Sequence, residues 1–197
     1  MKRLLPLVLF AALLALPAAA QTAPPAGAAA PSPDGFTKII KTSFDGITRF
    51  LAASAEKMPE AQFGFKPTPE VRSFGEILGH VANSQFSYCA RIKGEKNPNE
   101  GNDIEKKTAK ADLVKALNDS ITYCSTAYAD MTDAKALELL PVPPAPAGVA
   151  ANRPAPAPAP KVRLLLGNIT HDWEHYGNLV TYMRLKGIVP PSSEPRR

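Results

Sequence analysis

Fourteen of the 21 prolines in this 197-residue chain fall in two windows, residues 1–35 and 141–160. Proline fixes φ and lacks a backbone N–H, so neither window can supply a helix interior or a central strand. Regular structure has to come from residues 36–140 and 161–192, where the apolar residues recur at helical spacing. The first such segment, Phe36 to Met58, carries Ile39, Ile40, Phe44, Ile47, Phe50, Leu51 and Ala55 on one stripe, and Pro59 stops it. Residues 59–72 hold three prolines together with Phe63 and Phe65, which predicts a connector whose rings pack on the helices.

Ser73-Phe74-Gly75-Glu76 has the capping-box pattern, and behind it Ile77, Leu78, Val81, Phe86, Cys89 and Ile92 predict a second helix ending near Gly94. After a polar loop at 95–107, Thr108 is placed to cap a third helix, with Leu113, Leu117, Ile121, Cys124 and Tyr128 on its stripe. That stripe fades near Thr132. The fourth helix runs from about Val162 to Lys186, with Gly187 suited to its C-terminal cap and Pro190-Pro191 barring continuation. No strand pattern is recognisable. The expectation is an all-α four-helix bundle over residues 36–192, with the Ala/Pro-rich stretch 141–160 as a solvated, extended loop and 193–197 as a tail.

The first twenty residues read differently. Met1-Lys2-Arg3 is basic, Leu4 to Leu16 is apolar, and Ala18-Ala19-Ala20 precedes Gln21: the n-region, h-region and cleavage site of a secretory signal peptide over residues 1–20. The apolar run is shorter than the roughly 20 residues a membrane helix needs, so no integral membrane segment is expected once the signal is removed. Residues 21–35, QTAPPAGAAAPSPDG, cannot bury enough apolar surface to offset their ordering entropy and should form a flexible leader. A periplasmic or secreted protein is expected. Losing Lys2 and Arg3 takes the formal charge from +5 to +3, too little and too dispersed for a nucleic-acid partner. The partners that remain are a small-molecule substrate and a second copy of the chain in a homodimer.

Two of the three histidines lie in His171-Asp172-Trp173-Glu174-His175, an i,i+4 pair that puts both imidazoles on one helix face. That face reads Leu164, Asn168, His171, His175, Asn178, Tyr182, beside a second arc of Leu165, Ile169, Trp173, Tyr176, Val180 and Met183. The imidazoles thus sit at the edge of the buried arc, where polar groups need partners, and a divalent cation is one partner two imidazoles can share. An H-E-x-x-H protease motif is excluded, because Asp172 and Trp173 follow the first histidine. Asp172 lies between the arcs, either hydrogen-bonding a ligand imidazole from behind or favouring the helix surface. His80, at the rim of the second helix's stripe with Glu76 and Ser84 one turn to either side, reads by itself more as a surface residue than as a ligand.

The runs FGEILGHVANSQFSYC and NITHDWEHYGNLVTYMRLKGIVPPSS, in this order and separation, resemble the DinB/YfiT-like family of four-helix proteins over about residues 36–192. The resemblance implies a divalent metal held by one histidine of the second helix and the pair on the fourth, here His80, His171 and His175. Three neutral imidazoles leave an ion open positions for water or substrate, and zinc, nickel, manganese or iron would all suit. Two functions follow. One is a metal-dependent hydrolase or transferase acting on a small molecule; the other is a non-catalytic helical metal-binding or interaction protein. No catalytic residue can be assigned: Glu76, Asp172 and Glu174 are general-base candidates, each with a capping or surface role to set against it.

Cys89 and Cys124 are the only cysteines, both on apolar stripes of a chain expected in an oxidising compartment. Each lies 16 residues beyond its helix's expected cap, Ser73 or Thr108, so the sulfurs are level if the second and third helices run parallel. In an antiparallel hairpin they would be about 15 Å apart in height, beyond the reach of a disulfide. The alternative is two separate buried thiols. A Cys89–Cys124 disulfide is the expectation, and with it parallel second and third helices, the 95–107 loop returning along the bundle.

The signal-peptide reading is checked by intact-mass measurement of periplasmic protein, which is expected to show a chain beginning at Gln21. A retained Met1 would count against it.

Overall fold

The computed structural model describes residues 34–141 and 157–195. The expected signal peptide, most of the leader, residues 142–156 of the Pro-rich loop and the last two arginines lie outside the described residues. The elements are α1 (Gly35–Lys57), α2 (Phe74–Lys93), α3 (Lys110–Ala129), a single-turn α4 (Asp133–Ala136), β1 (Leu139–Leu140), β2 (Ala159–Pro160) and α5 (Lys161–Leu185). Short 3₁₀ turns occupy Glu60–Gln62, Ile104–Lys106 and Pro191–Ser193.

The four long helices form the expected bundle, α1 and α2 each packing against both α3 and α5. Side-chain contacts give the directions. Gly75 meets Leu113, Ser120 bonds Gln85, and Cys89 is joined to Cys124, so α2 and α3 run parallel. Tyr182 bonds the backbone at Arg72 and Gly167 meets Tyr88, so α5 runs antiparallel to α2. The disulfide has a Cα–Cα separation of 5.3 Å, within ordinary range.

Two apolar clusters fill the interior. One gathers Leu51, Met58, Phe63, Phe74, Leu78, Leu113, Leu117, Leu179 and Met183. The other gathers Phe44, Cys89, Ile92, Cys124, Tyr128 and Leu165, with Phe44 stacked on Tyr128 at 4.1 Å between ring centroids. The connector rings pack as expected, Phe63 buried and Phe65 edge-on to Tyr182. The capping box forms: Ser73 Oγ accepts from the Glu76 N–H at 3.1 Å, and a Glu76 carboxylate oxygen accepts from the Ser73 N–H at 2.6 Å.

Several expectations need correction. Thr108 does not cap α3. Ala109 stands at that position with no side-chain cap, and the first turn is tied down by Lys110 Nζ donating to the Glu56 and Met58 carbonyls at the end of α1. Strand structure does exist, as a two-residue antiparallel ladder of β1 and β2 at the base of the Pro-rich loop, too short to leave an alternating pattern. Asp34 and Gly35, expected in the flexible leader, belong to the fold. Asp133 accepts from the Thr37 N–H at 2.8 Å and caps α1 from 96 residues away, while Asp34 accepts from the Asp133 N–H. The tail is docked at Ser193 and Glu194, which bond Arg184 and Lys57. Ile39 is 68% exposed and Trp173 43%, though both sit on stripes whose spacing predicts burial. Neighbouring stripe positions Ile40, Phe44 and Tyr176 take the core instead.

The disulfide closes a span of 35 residues, and loop-closure entropy gives it a stabilisation of about 4 kcal/mol. Titration of unfolded, unreduced protein should find no free thiol, and reduction should lower the denaturant midpoint. Two free thiols per chain would remove the bridge.

Candidate metal centre

His80 on α2 and His171 and His175 on α5 meet across the antiparallel seam. The i,i+4 pair projects from α5 toward the facing turn of α2, and one ring nitrogen from each histidine lies within 4.8 Å of the other two. His171 Nε2 is 3.1 Å from Nε2 of both His80 and His175. The structure thus brings His80, whose own stripe left its place open, to the pair.

The far side of each ring decides whether these nitrogens can act as ligands. His80 Nδ1 lies 3.3 Å from a carboxylate oxygen of Glu105. His175 Nδ1 lies 3.5 Å from the Asn178 amide. His171 Nδ1 is buried without a partner, and 4.0 Å away is the Asp172 Oδ1, likewise buried and unpartnered. At His80 the carboxylate acceptor behind Nδ1 favours the Nδ1–H tautomer and leaves the Nε2 lone pair free. The Nε2 atoms of all three rings converge, and a divalent cation is one partner that three neutral imidazoles can share. The residues present therefore fit a metal ion.

Electrostatics agree. Burial, then unfavourable electrostatics with His171, His80 and Arg72, pushes His175 down to about 4. Burial, Arg72 and His171 lower His80 as well, against a smaller upward pull from Glu105. His175 therefore stays neutral through the physiological range, and the downward shift of His80 favours its neutral form, as ligation requires.

Asp172 is fully buried, which excludes the surface reading. Burial pushes its carboxyl up, only partly offset by the nearby His171 imidazole and the hydrogen bond from Gln85. Gln85 Nε2 donates to Asp172 Oδ2 at 2.9 Å, and Ser120 Oγ donates to Gln85 Oε1 at 2.8 Å. Ser120, Gln85 and Asp172 form a buried chain from α3 through α2 to α5. Glu76 is committed to the capping box and to Lys66, whose bonds hold it below the usual carboxylate range. Glu174 is exposed at the edge of a cavity of about 650 Å³ that reaches His175 and is also bordered by Arg72, Glu105, Asn178 and Tyr182.

Sequence reasoning missed Glu105, Gln85 and Ser120. Glu105 lay in a stretch read only as a polar loop. Gln85 and Ser120 are polar residues on otherwise apolar faces, a signal that was available.

The histidine shifts have a consequence for stability. The unfolded imidazole takes up its proton near 6.5 and folded His175 only near 4, so below 6.5 the unfolded state binds the proton first. The metal-free protein should therefore lose stability as pH falls from 6.5 toward 4, with His80 acting in the same direction. Thermal melts across that window check it, and H175A should flatten the slope.

With this geometry in view, the family profile described as the DinB superfamily matches residues 44–179, a span that includes all three histidines. A DinB-like protein from Bacillus cereus ATCC 10987 superposes with a TM-score of 0.61 at 16% identity, covering 78% of this chain and 95% of that one. A DinB-like protein from Bacillus subtilis gives 0.61 at 19% identity, covering 80% and 99%. A mycothiol-dependent maleylpyruvate isomerase gives 0.54 at 14% identity, covering 73% of this chain and 60% of that one. At these identities the likeness establishes the fold. No curated protein matches the sequence. The profile match across most of the chain, with the shared helical bundle, places this protein in the DinB superfamily.

Proposed function

We propose that this DinB-superfamily protein is exported, binds a divalent metal ion through His80, His171 and His175, and acts as a metal-dependent hydrolase or transferase on a small molecule. The convergence of the three imidazoles beside an open cavity carries the reading. Zinc, nickel, manganese or iron would suit three neutral nitrogen ligands, and a bound ion would supply Lewis-acid activation of water, a thiol or a carbonyl. Around it, Glu105 and Asp172 stand behind two of the rings, Gln85 and Ser120 fix Asp172, and the cavity admits a polar ligand at His175.

The isomerase among the structural neighbours supports small-molecule chemistry in a bundle of this kind, and its thiol co-substrate belongs to that protein. The export element rests on the basic, apolar and Ala-x-Ala segments of residues 1–20, and the Cys89–Cys124 disulfide supports an oxidising compartment. A second reading, a non-catalytic metal-binding protein, is favoured by one observation. Of the three general-base candidates, Glu76 is spent on a helix cap and Asp172 is sealed in the core, leaving only exposed Glu174.

Metal analysis of purified protein tests the site. H171A and H175A are each expected to lose most bound metal while keeping a helical spectrum, because core packing rather than ligation stabilises a bundle of this size. Unchanged stoichiometry in both variants would sink the assignment. A substrate screen with and without chelator separates the two readings: chelator-sensitive turnover selects the enzyme.

A further inference from the structure

We propose that Glu105 is the positioning residue for His80, and that bare backbone contact at Gly79 is what puts it there. The inference deepens the metal-site reading and rests on it.

The return loop between α2 and α3 lies against α2 at Gly79. A Cβ on Gly79 would stand 2.6 Å from the Glu105 Cα and 2.8 Å from both the Glu105 N and the Ile104 carbonyl oxygen. Those are backbone atoms, so any side chain at 79 forces the loop off the helix. Two further contacts hold it down. Ile104 is buried in the core, and Asn83, one turn beyond Gly79, accepts from the Ile104 N–H at 3.2 Å and donates to Asp103 at 2.9 Å.

Clamped in this way, Glu105 spends both carboxylate oxygens. One accepts from Arg72 Nε at 2.7 Å, and the other lies 3.3 Å from His80 Nδ1. Arg72 is itself anchored, its carbonyl accepting from the Tyr182 hydroxyl at 2.8 Å. The carboxylate therefore has a fixed orientation toward His80. It selects the Nδ1–H tautomer and aims Nε2 at the two imidazoles of α5. A carboxylate behind a ligand imidazole fixes ring orientation and raises ligand basicity, and losing one typically costs roughly 10–100-fold in metal affinity.

The test is zinc affinity by competition with a chromophoric chelator, together with the His80 ring tautomer of the metal-free protein by ¹⁵N NMR. E105A is expected to weaken zinc binding by roughly 10–100-fold and to introduce the Nε2–H form of His80. E105Q keeps an acceptor oxygen and should lose less. G79A alters no ligand and no carboxylate, yet should weaken zinc as E105A does. The double variant should be no weaker than the weaker single, because both changes remove one contact. Unchanged zinc affinity and an unchanged His80 tautomer in E105A, which alters only a loop side chain, overturn the assignment. A wild-type chain that takes up no zinc overturns the metal-site reading instead, and the tautomer comparison then still decides whether Glu105 orients His80.

Discussion

Parallel packing of α2 on α3 is the constraint from which the rest of this structure follows. Two consecutive helices can run parallel only if the segment between them travels back the length of the bundle. In this chain the return is made by residues 94–109, and their path brings Ile104 into the core and Glu105 beside His80. The Cys89–Cys124 disulfide locks the arrangement, since in this topology the two sulfurs are level. A short antiparallel connection would have left His80 without its carboxylate and Gly79 without its reason to be bare.

The second organising feature is a polar layer set between two apolar clusters. Ser120, Gln85 and Asp172 are fully buried and hydrogen-bonded in series, with Asp172 reaching toward His171. Burying a carboxylate in the core of a small bundle costs free energy that leucine at the same position would not. What the layer does instead is register α5 against α2 and α3, because Asp172 has a partner only when Gln85 faces it. Among the described residues three buried side-chain polar atoms lack a partner, Asn168 Oδ1, His171 Nδ1 and Asp172 Oδ1, and the last two lie at its site end.

The same arrangement controls charge. Arg72 is held between Glu105 and the Tyr182 hydroxyl, close enough to depress both His80 and His175. Its cation discourages protonation of the imidazoles, while Glu105 shares that cation and faces His80 from the other side. The cavity that reaches His175 is bordered by these same residues, so His175 lies behind a charged collar.

The sequence by itself determined the four helices, the Ser73 cap, the i,i+4 placement of His171 and His175 on one face, and the level placement of the cysteines. These are consequences of period, capping chemistry and chain arithmetic, which act within a few turns of helix. Resemblance to a known family then supplied His80 as the third member. Only the tertiary structure decided that His80 lies 3.1 Å from a residue 91 positions away, that Glu105 stands behind it, and that Gln85 faces Asp172. It also decided that Ile39 and Trp173, on stripes that read as buried, stay exposed. Periodicity specifies which residues share a face, but the rotation of that face against its neighbours is set by packing among helices far apart in the chain. Glu105 was beyond reach for the same reason: nothing local in a polar loop records the bare glycine on another element against which it is pressed.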